Sequence, residues 1–342
     1  MSSRFRAAVL LTVVVVVAAA CSGSASKNSS APTALSGSPE VRVSVAPFGT
    51  QLFPAEIIQS QGLDVKNGFR IKILNFTNPP QEYLQLTGDE ADISAGTWLD
   101  LQQNEARGLK VLGVGPLLRY TNVMIVPTNS TIQSPADLKG KRIGVYFEQG
   151  ADVEAVRAAM EQKYGFDFFK DSTVQQADAA LLGDEMQRGD FDAIFTFSNL
   201  GSQLVASGKG RVLFSAADIL SGAFGLTQDD PFGIWITSVQ YSVQHPKEIR
   251  DFMTAYKEAV NILKTDDSVW PALAKTQNIT DQAGIDALKQ DTRASFATTW
   301  TPATINHMAS IFNLMYKIGG VDLTGLDKFD TSVYPTTFWP QN

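Results

Sequence analysis

The sequence predicts an α/β fold in which mainly parallel strands are covered on both faces by helices. Short apolar strand signals alternate with amphipathic helix signals along most of the chain, which is the pattern of βα units. This alternation starts near Glu40 and continues to about Phe232. Beyond it the periodicity is helical as far as Ile318, so the last third of the chain is predicted to be mostly helices.

The strand signals are short runs rich in Val, Ile and Phe that end at turn-forming residues. They fall at residues 41–45, 69–75, 92–95, 111–115, 121–126, 191–196, 211–214 and 232–237, with one more strand after the turn at Ser134. The helix signals fall at residues 54–59, 79–87, 97–107, 151–164, 177–188, 247–264, 267–275, 281–290 and 302–318. Pro54 near a helix start and Gly108 after a helix end support two of these boundaries.

The first 20 residues resemble a secretory signal peptide. Arg4 and Arg6 precede an apolar run, residues 7–20, that is too short to span a bilayer. The run ends in three alanines before Cys21, which resembles the bacterial lipobox, although Ala18 stands where Leu is usual. We therefore expect residues 1–20 to be removed and Cys21 to carry lipid. An ordinary secretory signal followed by a chance cysteine is the alternative.

Residues 21–39 form a low-complexity stretch of Ser, Ala, Gly and Pro, and we expect a flexible tether there. No later apolar stretch is long enough to cross a membrane. The expected location is therefore extracytoplasmic, with the lipid holding the chain at the outer face of the cytoplasmic membrane or in the periplasm. Cys21 is the only cysteine, which excludes an internal disulfide and a Cys-based metal or redox centre.

Composition narrows the classes of partner. The 342 residues are 44% hydrophobic, as in globular proteins, and are numerous enough for two domains. The formal net charge is −7, and a negative surface argues against binding to nucleic acid. We expect a monomer.

Familiar enzyme patterns do not occur. The sequence has no Gly-rich phosphate loop, no His-Glu-x-x-His, no cysteine pair and no nucleophile elbow. His245 precedes a proline and His307 lies in an amphipathic helix, so surface or capping roles suit them better than general base catalysis. We therefore expect no catalytic residue, no metal site and no cofactor.

The most specific pattern is residues 134–145, Ser-Pro-Ala-Asp-Leu-Lys-Gly-Lys-Arg-Ile-Gly-Val, a capped turn with Pro135 at its first helical position. It resembles the Leu-Lys-Gly-Lys-x-Ile-Gly-Val element of the periplasmic binding proteins for nitrate, sulfonates, taurine and thiamine pyrimidine precursors. Segments similar to other motifs of that family follow its order, at residues 68–74, 91–96, 189–193 and 245–249. The resemblance extends from Val41 to about Ile318.

This resemblance implies the type II periplasmic-binding-protein (Venus-flytrap) fold, in which two lobes are joined by two crossovers. Applied to this sequence, lobe I comprises residues 40–126 and 233–342, and lobe II comprises residues 127–232. Ligands of open α/β sheets bind at the carboxyl ends of the strands, so the site is expected between the lobes.

The expected ligand-binding residues follow predicted strands or begin predicted helices. In lobe II the family often has Gly-Ser or Gly-Thr at a helix start where this sequence has Gly150-Ala151, so the hydroxyl is missing. The full expected set is Phe48, Thr50, Asn75, Phe76, Thr97, Trp98, Tyr146, Glu148, Gly150, Thr196, Phe197, Ser198 and Asn199.

The nature of the ligand is less constrained. An oxyanion would call for helix N-termini, hydroxyls and Arg or Lys, but the expected set contains no Arg or Lys and does contain Glu148, with Asp152 nearby. Its aromatic members suit stacking on a flat ring. We favour a heteroaromatic or amine-bearing solute over a bare inorganic anion. A sulfonate, taurine or nitrate-type solute and a pyrimidine-type solute both stay open.

The resemblance implies a lipoprotein that captures a small solute outside the cytoplasm and delivers it to the permease and ATPase subunits of an ABC importer. One alternative is an enzyme of the same fold that acts on a pyrimidine or menaquinone precursor. Another is a ligand sensor that signals to a membrane partner. The lipobox argues against the enzyme, because such enzymes are usually cytoplasmic and carry no lipid.

Overall fold

The computed structural model describes residues 37–47, 49–76 and 79–340. The predicted signal peptide, Cys21 and most of the predicted tether lie outside these residues, as does Phe48 of the expected site. The described residues form two five-stranded sheets that are covered by helices.

The ten strands are β1 (Glu40–Val45), β2 (Arg70–Asn75), β3 (Ile93–Thr97), β4 (Val111–Leu118), β5 (Val123–Pro127), β6 (Arg142–Val145), β7 (Thr173–Gln176), β8 (Ala193–Thr196), β9 (Gly210–Ser215) and β10 (Gly233–Ser238). The first sheet has the order β2-β1-β3-β10-β4, and the second has the order β7-β6-β8-β5-β9. In each sheet one strand runs antiparallel to both of its neighbours, β10 in the first and β5 in the second. Each sheet is therefore mixed, with four parallel strands and one reversed strand.

The helices are α1 (Leu52–Ser60), α2 (Leu63–Lys66), α3 (Pro79–Thr87), α4 (Trp98–Ala106), α5 (Ala151–Tyr164), α6 (Phe168–Asp171), α7 (Leu182–Arg188), α8 (Ser198–Ala206), α9 (Ala216–Phe224), α10 (Val239–Gln244), α11 (Pro246–Thr265), α12 (Trp270–Thr276), α13 (Gln282–Ser295), α14 (Pro302–Gly319) and α15 (Val321–Thr324). Short 3-10 helices occupy Pro135–Leu138 and Thr331–Val333. No helix in the described part of the chain is long and apolar enough to cross a membrane.

The chain crosses between the sheets twice. The first crossing is residues 119–122, between β4 and β5, and the second is residues 225–232, between α9 and β10. Residues 121–126 were expected in lobe I, whereas β5 lies inside the second sheet, paired with β8 and β9. The reason for the error is that β4 and β5 are both apolar strands, and periodicity does not tell which sheet a strand joins. We call residues 37–122 and 233–340 the first half, and residues 123–232 the second half.

The two sheets share one local device. In the first sheet Arg42 at β1 pairs with Asp92 just before β3, with 2.6 Å between Nη2 and Oδ1. In the second, Arg142 at β6 pairs with Asp192 just before β8, with 2.7 Å between the same atoms. Both aspartates also accept a hydrogen bond from the backbone N–H of their arginine. The Asp of the family-like motifs at 91–96 and 189–193 therefore holds neighbouring strands together.

The long helix α11 anchors the core of the first half. Its apolar residues recur every three or four positions and face β10. The ring of Trp235 on β10 meets Phe252 and Tyr256 edge to face, with centroid distances of 5.0 and 5.4 Å. All three side chains are fully buried. This packing fixes the position of β10, the strand that returns from the second half.

Helices of the two halves also touch. α8 packs against α13, and α5 packs against α14 and α15. At the first contact the Ser198 hydroxyl donates a 2.8 Å hydrogen bond to Asp291. These contacts flank the space between the two sheets.

Candidate ligand-binding cleft

A cleft of about 760 Å³ lies between the halves. Its walls come from the carboxyl ends of parallel strands in both sheets and from the first crossing, because the loops after these strands converge there. The volume falls in the range of small-molecule sites. Its floor includes Leu117 and Phe232, which lie at the two points where the chain changes sheets.

The wall of the second half holds a closed hydrogen-bond network. The Tyr146 hydroxyl donates to Oδ1 of Asp152 at 2.7 Å, and the Asn122 amide donates to Oδ2 at 2.5 Å. The same amide lies 3.2 Å from the Tyr146 oxygen. Asp152 is 1% exposed, and burial raises its pKa above the ordinary value despite these bonds. The network fixes the Tyr146 ring at the cleft.

That ring is paired with a second one. Tyr146 and Phe197 lie with their centroids 4.3 Å apart and their planes tilted by 37°. Tyr146 follows β6, and Phe197 is the N-cap residue of α8 after β8, so two neighbouring strands supply the pair. Both residues line the cleft. The pair gives the cleft an aromatic wall.

The wall of the first half carries two carboxyl groups. Glu82 on α3 is 3% exposed and lines the cleft. Asp100, in the first turn of α4, accepts a 2.7 Å hydrogen bond from the hydroxyl of Thr97, the N-cap residue. Burial and the nearby Asp100 raise the pKa of Glu82 well above its usual value. Burial, reinforced by the nearby Asp152 carboxyl, raises the pKa of Asp100 to about 6.

Gly96 allows this arrangement. A Cβ atom at that position would lie 3.1 Å from a carboxyl oxygen of Glu82 and 2.9 Å from the side chain of Ile236. Any larger residue at the end of β3 would therefore push Glu82 out of its place.

One described cation lies on the cleft, Arg119 in the first crossing. Its Nε is buried without a hydrogen-bond partner, and Nη1 lies 3.4 Å from the Ala294 carbonyl. Burial and the nearby Arg119 charge lower the pKa of Lys264. Arg119 is thus a cleft residue of a type that the expected set did not contain.

The structure brings about half of the expected site residues together. The ones that line the cleft are Phe76, Thr97, Tyr146, Gly150, Phe197 and Asn199. Gly150 is the N-cap residue of the 14-residue helix α5 and has no side chain to cap it, so the first N–H groups of that helix face the cleft region.

Trp98 is the main correction. It was expected to reach the ligand, but it is 1% exposed and does not line the cleft. Its indole Nε1 donates to the Tyr120 hydroxyl at 2.9 Å, and its ring lies 5.8 Å from that of Phe329. Trp98 is the first residue of α4, and at that position its side chain turns into the core behind Thr97.

Five other expected residues also lie away from the cleft. Thr50 and Thr196 are buried, and Asn75 is exposed at the end of β2. Ser198 is bonded to Asp291 at the contact between the halves. Glu148 exchanges hydrogen bonds with Gln176 in a shallow depression that adjoins the cleft at Gln176 and Ala177. Side chains alternate in direction along a strand end, so only part of each loop faces the cleft.

Four residues that line the cleft were not in the expected set: Glu82, Asp100, Asn122 and Arg119. Glu82 and Asp100 lie within helices α3 and α4, whereas the expected residues were sought at strand ends and helix starts. Asn122 and Arg119 lie in the first crossing, where the sequence predicts one strand at 111–115 and another at 121–126. A signal for the crossing was available in Arg119-Tyr120-Thr121-Asn122, a polar interruption between two apolar strands.

Comparison with known proteins identifies the family. A sequence model described as "NMT1/THI5 like" matches residues 58–267, more than half of the chain. The chain belongs to the NMT1/THI5-like family. One curated relative, the 4-amino-5-hydroxymethyl-2-methylpyrimidine phosphate synthase of Uromyces fabae, is 30% identical over 100 residues. That match covers 28% of this chain and 29% of the relative, so the chain spans less than a third of its length.

Solved structures share the fold of this family member. The alkanesulfonate-binding protein SsuA from Xanthomonas axonopodis pv. citri, bound to MOPS, is 18% identical with a TM-score of 0.70, over 86% of this chain and 97% of that one. The CA3427 gene product of Candida albicans, described as having the generic periplasmic binding protein fold, is 15% identical with a TM-score of 0.62, over 86% and 93% of the chains. The predicted periplasmic-binding-protein fold is confirmed.

Proposed function

We propose that this chain is an extracytoplasmic solute-binding protein that captures a small organic solute and delivers it to an ABC importer. The proposal rests mainly on the cleft, which lies between two sheets that the chain joins through residues 119–122 and 225–232. Rotation about residues 119–122 and 225–232 would open and close it. A ligand that contacts both walls shifts the population toward the closed form.

The comparisons support the transport role. Two of the similar structures are sulfonate-binding proteins by name, from Xanthomonas axonopodis pv. citri and Escherichia coli, the latter with a TM-score of 0.66 and 17% identity. The proposed lobes follow the halves, residues 40–122 with 233–342, and residues 123–232. The permease and ATPase subunits of the importer are the proposed partners, and a monomer is the proposed state.

We place the chain at the membrane through lipid on Cys21. The support is the apolar run before Cys21 and the absence of any other cysteine in the sequence. Cys21→Ala should release the chain from the membrane fraction, because the anchor is the acyl chains. Cell fractionation with Ser22→Ala as the control would check this, and membrane retention of the Cys21 variant would argue against the anchor.

A direct experiment can distinguish a protein that binds a solute from an enzyme that converts it. A binding protein returns its solute unchanged, whereas an enzyme related to the Uromyces fabae synthase would alter it. The purified chain should shrink measurably in small-angle scattering when a ligand binds, and mass spectrometry should recover that ligand intact. Recovery of a changed compound would favour the enzyme. In cells, deletion of the gene should abolish uptake of the same ligand.

A further inference from the structure

We infer that the cleft binds the positively charged group of an organic solute, a protonated amine or an amidinium, between the carboxyl groups of Glu82 and Asp100 and the rings of Tyr146 and Phe197. This inference rests on the proposed function and specifies its ligand. The first-half wall would hold the charge, and the second-half wall would cover the rest of the solute.

Glu82 is the strongest indication. Its side chain is 3% exposed yet lines the cleft, and no hydrogen bond or ion pair to its carboxyl is found among the described residues. A carboxyl that is largely buried and has no partner loses part of its hydration without replacement, which is unfavourable. A donor carried by the ligand would supply the missing bonds.

Asp100 adds a second acceptor beside the first. Thr97 satisfies its Oδ2, while Oδ1 makes no hydrogen bond in the described structure. Glu82 and Asp100 line the same cleft, and the nearby charge of Asp100 raises the pKa of Glu82. Two close carboxylates repel each other, and a cation between them removes that repulsion.

The opposite wall fits a cation as well. Tyr146 lines the cleft on the second half and Asp100 lines it on the first. Burial, Asp152 and Asp100 raise the pKa of the Tyr146 phenol. Tyr146 is held by Asp152 and Asn122 and stacked with Phe197. Ring faces attract a cation that lies against them, and they also cover its apolar part.

Protein cations do not already neutralise the acids. Arg119 is the only Lys or Arg of the described residues on the cleft, and its guanidinium is directed to the Ala294 carbonyl. The exposed Arg107 partly offsets the effect of burial on the pKa of Asp100, which stays raised. The charge for which this wall is built must therefore come from the ligand.

The test uses the purified chain and matched probes. Benzylamine, aminomethylpyridine and aminomethylpyrimidine would each be compared with the corresponding alcohol and sulfonate, by thermal shift and calorimetry at about pH 8, where the probe amines are largely or partly protonated. A small-molecule cell extract, separated into cationic, neutral and anionic fractions, would be tested in parallel. We expect stabilisation by amines and by the cationic fraction, and not by the matched alcohols or sulfonates.

Two variants locate the interaction. Glu82→Gln and Asp100→Asn keep the shape of the side chains and should each weaken the best amine about tenfold or more, because a charged hydrogen bond is lost. Glu90→Gln, on an exposed residue near the end of α3, is the matched control and should bind as the unaltered chain does. Without ligand, the Glu82→Gln variant should melt at a temperature no lower than that of the Glu90→Gln control. That result would establish that the Glu82→Gln variant folds.

The results separate a failure of the cation inference from a failure of the proposed function. Stabilisation by the anionic or neutral fraction alone overturns the cation inference and leaves the proposed solute capture standing. Amine binding that both cleft variants retain in full also overturns it. If no probe and no fraction stabilises the chain, the inference fails and the proposed function is contradicted with it.

Discussion

At the scale of single residues, Asp152 shows how a carboxyl can be buried in the cleft wall without a cation. Both of its oxygens accept hydrogen bonds, one from Tyr146 and one from Asn122. The pKa of Asp152 is nevertheless raised, because burial outweighs these two bonds. Glu82 lies in the same cleft without such bonds. This difference separates a carboxyl that shapes the wall from one that is available to a ligand.

The network around Asp152 predicts a stability effect. Tyr146→Phe removes the hydroxyl and leaves one buried carboxyl oxygen unsatisfied, which should lower the free energy of unfolding by about 1–3 kcal/mol. Urea denaturation measures this loss. Tyr316→Phe, on a more exposed tyrosine of α14, is the control and should change stability by less than about 0.5 kcal/mol. Equal stability of the two variants would mean that the Tyr146 hydroxyl contributes nothing to the folded state.

Replacing Trp98 should reduce stability and leave ligand affinity unchanged, because its side chain lies in the core and not in the cleft. Trp98→Ala should lower the free energy of unfolding by about 3–5 kcal/mol, because it leaves a large cavity beside Tyr120 and Phe329. Trp98→Phe should lower the free energy of unfolding by less, since a smaller aromatic ring fills part of the space while the hydrogen bond to Tyr120 is lost. Denaturation curves of both variants, with ligand affinity measured on the folded fraction, would test this. A loss of affinity in Trp98→Phe without a loss of stability would return Trp98 to the binding site.

Some expected residues line the cleft because a βα turn fixes where they stand. Gly150 and Phe197 precede helices that follow strands, so their place is set by the βα turn. Trp98 also begins a helix, but its side chain could turn to either side of α4. Burial inside the core decides that orientation, and core packing depends on residues far away in sequence such as Phe329.

At the scale of elements, the periodicity of apolar residues predicts where helices begin and end, but it does not predict which sheet a strand joins. The helix signals at 79–87 and 302–318 agree closely with α3 and α14, because their apolar spacing and terminal prolines are local features. The short elements α6 and β7 were missed, and the helix α9 was missed although Ser215 caps it. β5 was assigned to the wrong half, because strand pairing is a long-range property.

Gly113 on β4 packs against residues that are far away in the sequence. At Gly113 a Cβ atom would lie 2.7 Å from the ring of Tyr334 and 3.0 Å from Ile234. Gly113→Ala should therefore lower the free energy of unfolding by about 1–3 kcal/mol through overpacking. Thermal unfolding measures the effect, and Leu112→Ala on the same strand, a cavity-forming change at a half-buried site, provides the comparison. An unchanged melting temperature would show that the C-terminal segment with Tyr334 can move away without loss.

At the scale of the whole molecule, the two halves repeat one plan and differ in charge where they face each other. The paired salt bridges of Arg42 with Asp92 and Arg142 with Asp192 mark equivalent strands in the two sheets. The equivalence ends at the cleft, where the first half presents the carboxyls without a partner cation, Glu82 and Asp100, and the second presents the ring pair Tyr146 and Phe197, held by Asp152. A ligand with a charged end and a flat body would contact both, and closure would require both contacts.

Buried carboxyls distributed over both halves predict how stability depends on pH. Burial raises the pKa of Asp100 and Asp291 to about 6 and that of Glu154 to about 7. A carboxyl whose pKa is higher in the folded than in the unfolded state adds stability when protonated, and this contribution is lost as pH rises through the folded pKa. Asp167 and Asp192 have lowered pKa values, so the stability that they contribute is lost only at pH values below the ordinary carboxyl pKa.

The unliganded chain should therefore become less stable as the pH rises from about 4 to about 7, by at most about 1.4 kcal/mol per pH unit for each group, and should change little above that range. Denaturation curves across this range measure the slope. Asp291→Asn, at the contact with Ser198 between the halves, should flatten it, and Asp322→Asn, on an exposed residue, should leave it unchanged. Stability that rises over this range would mean that the buried carboxyls are ionised in the folded chain and already stabilised there. A bound cation should reduce the slope in the same way, because it favours the ionised form of Asp100 at the pH where the free cleft retains its proton.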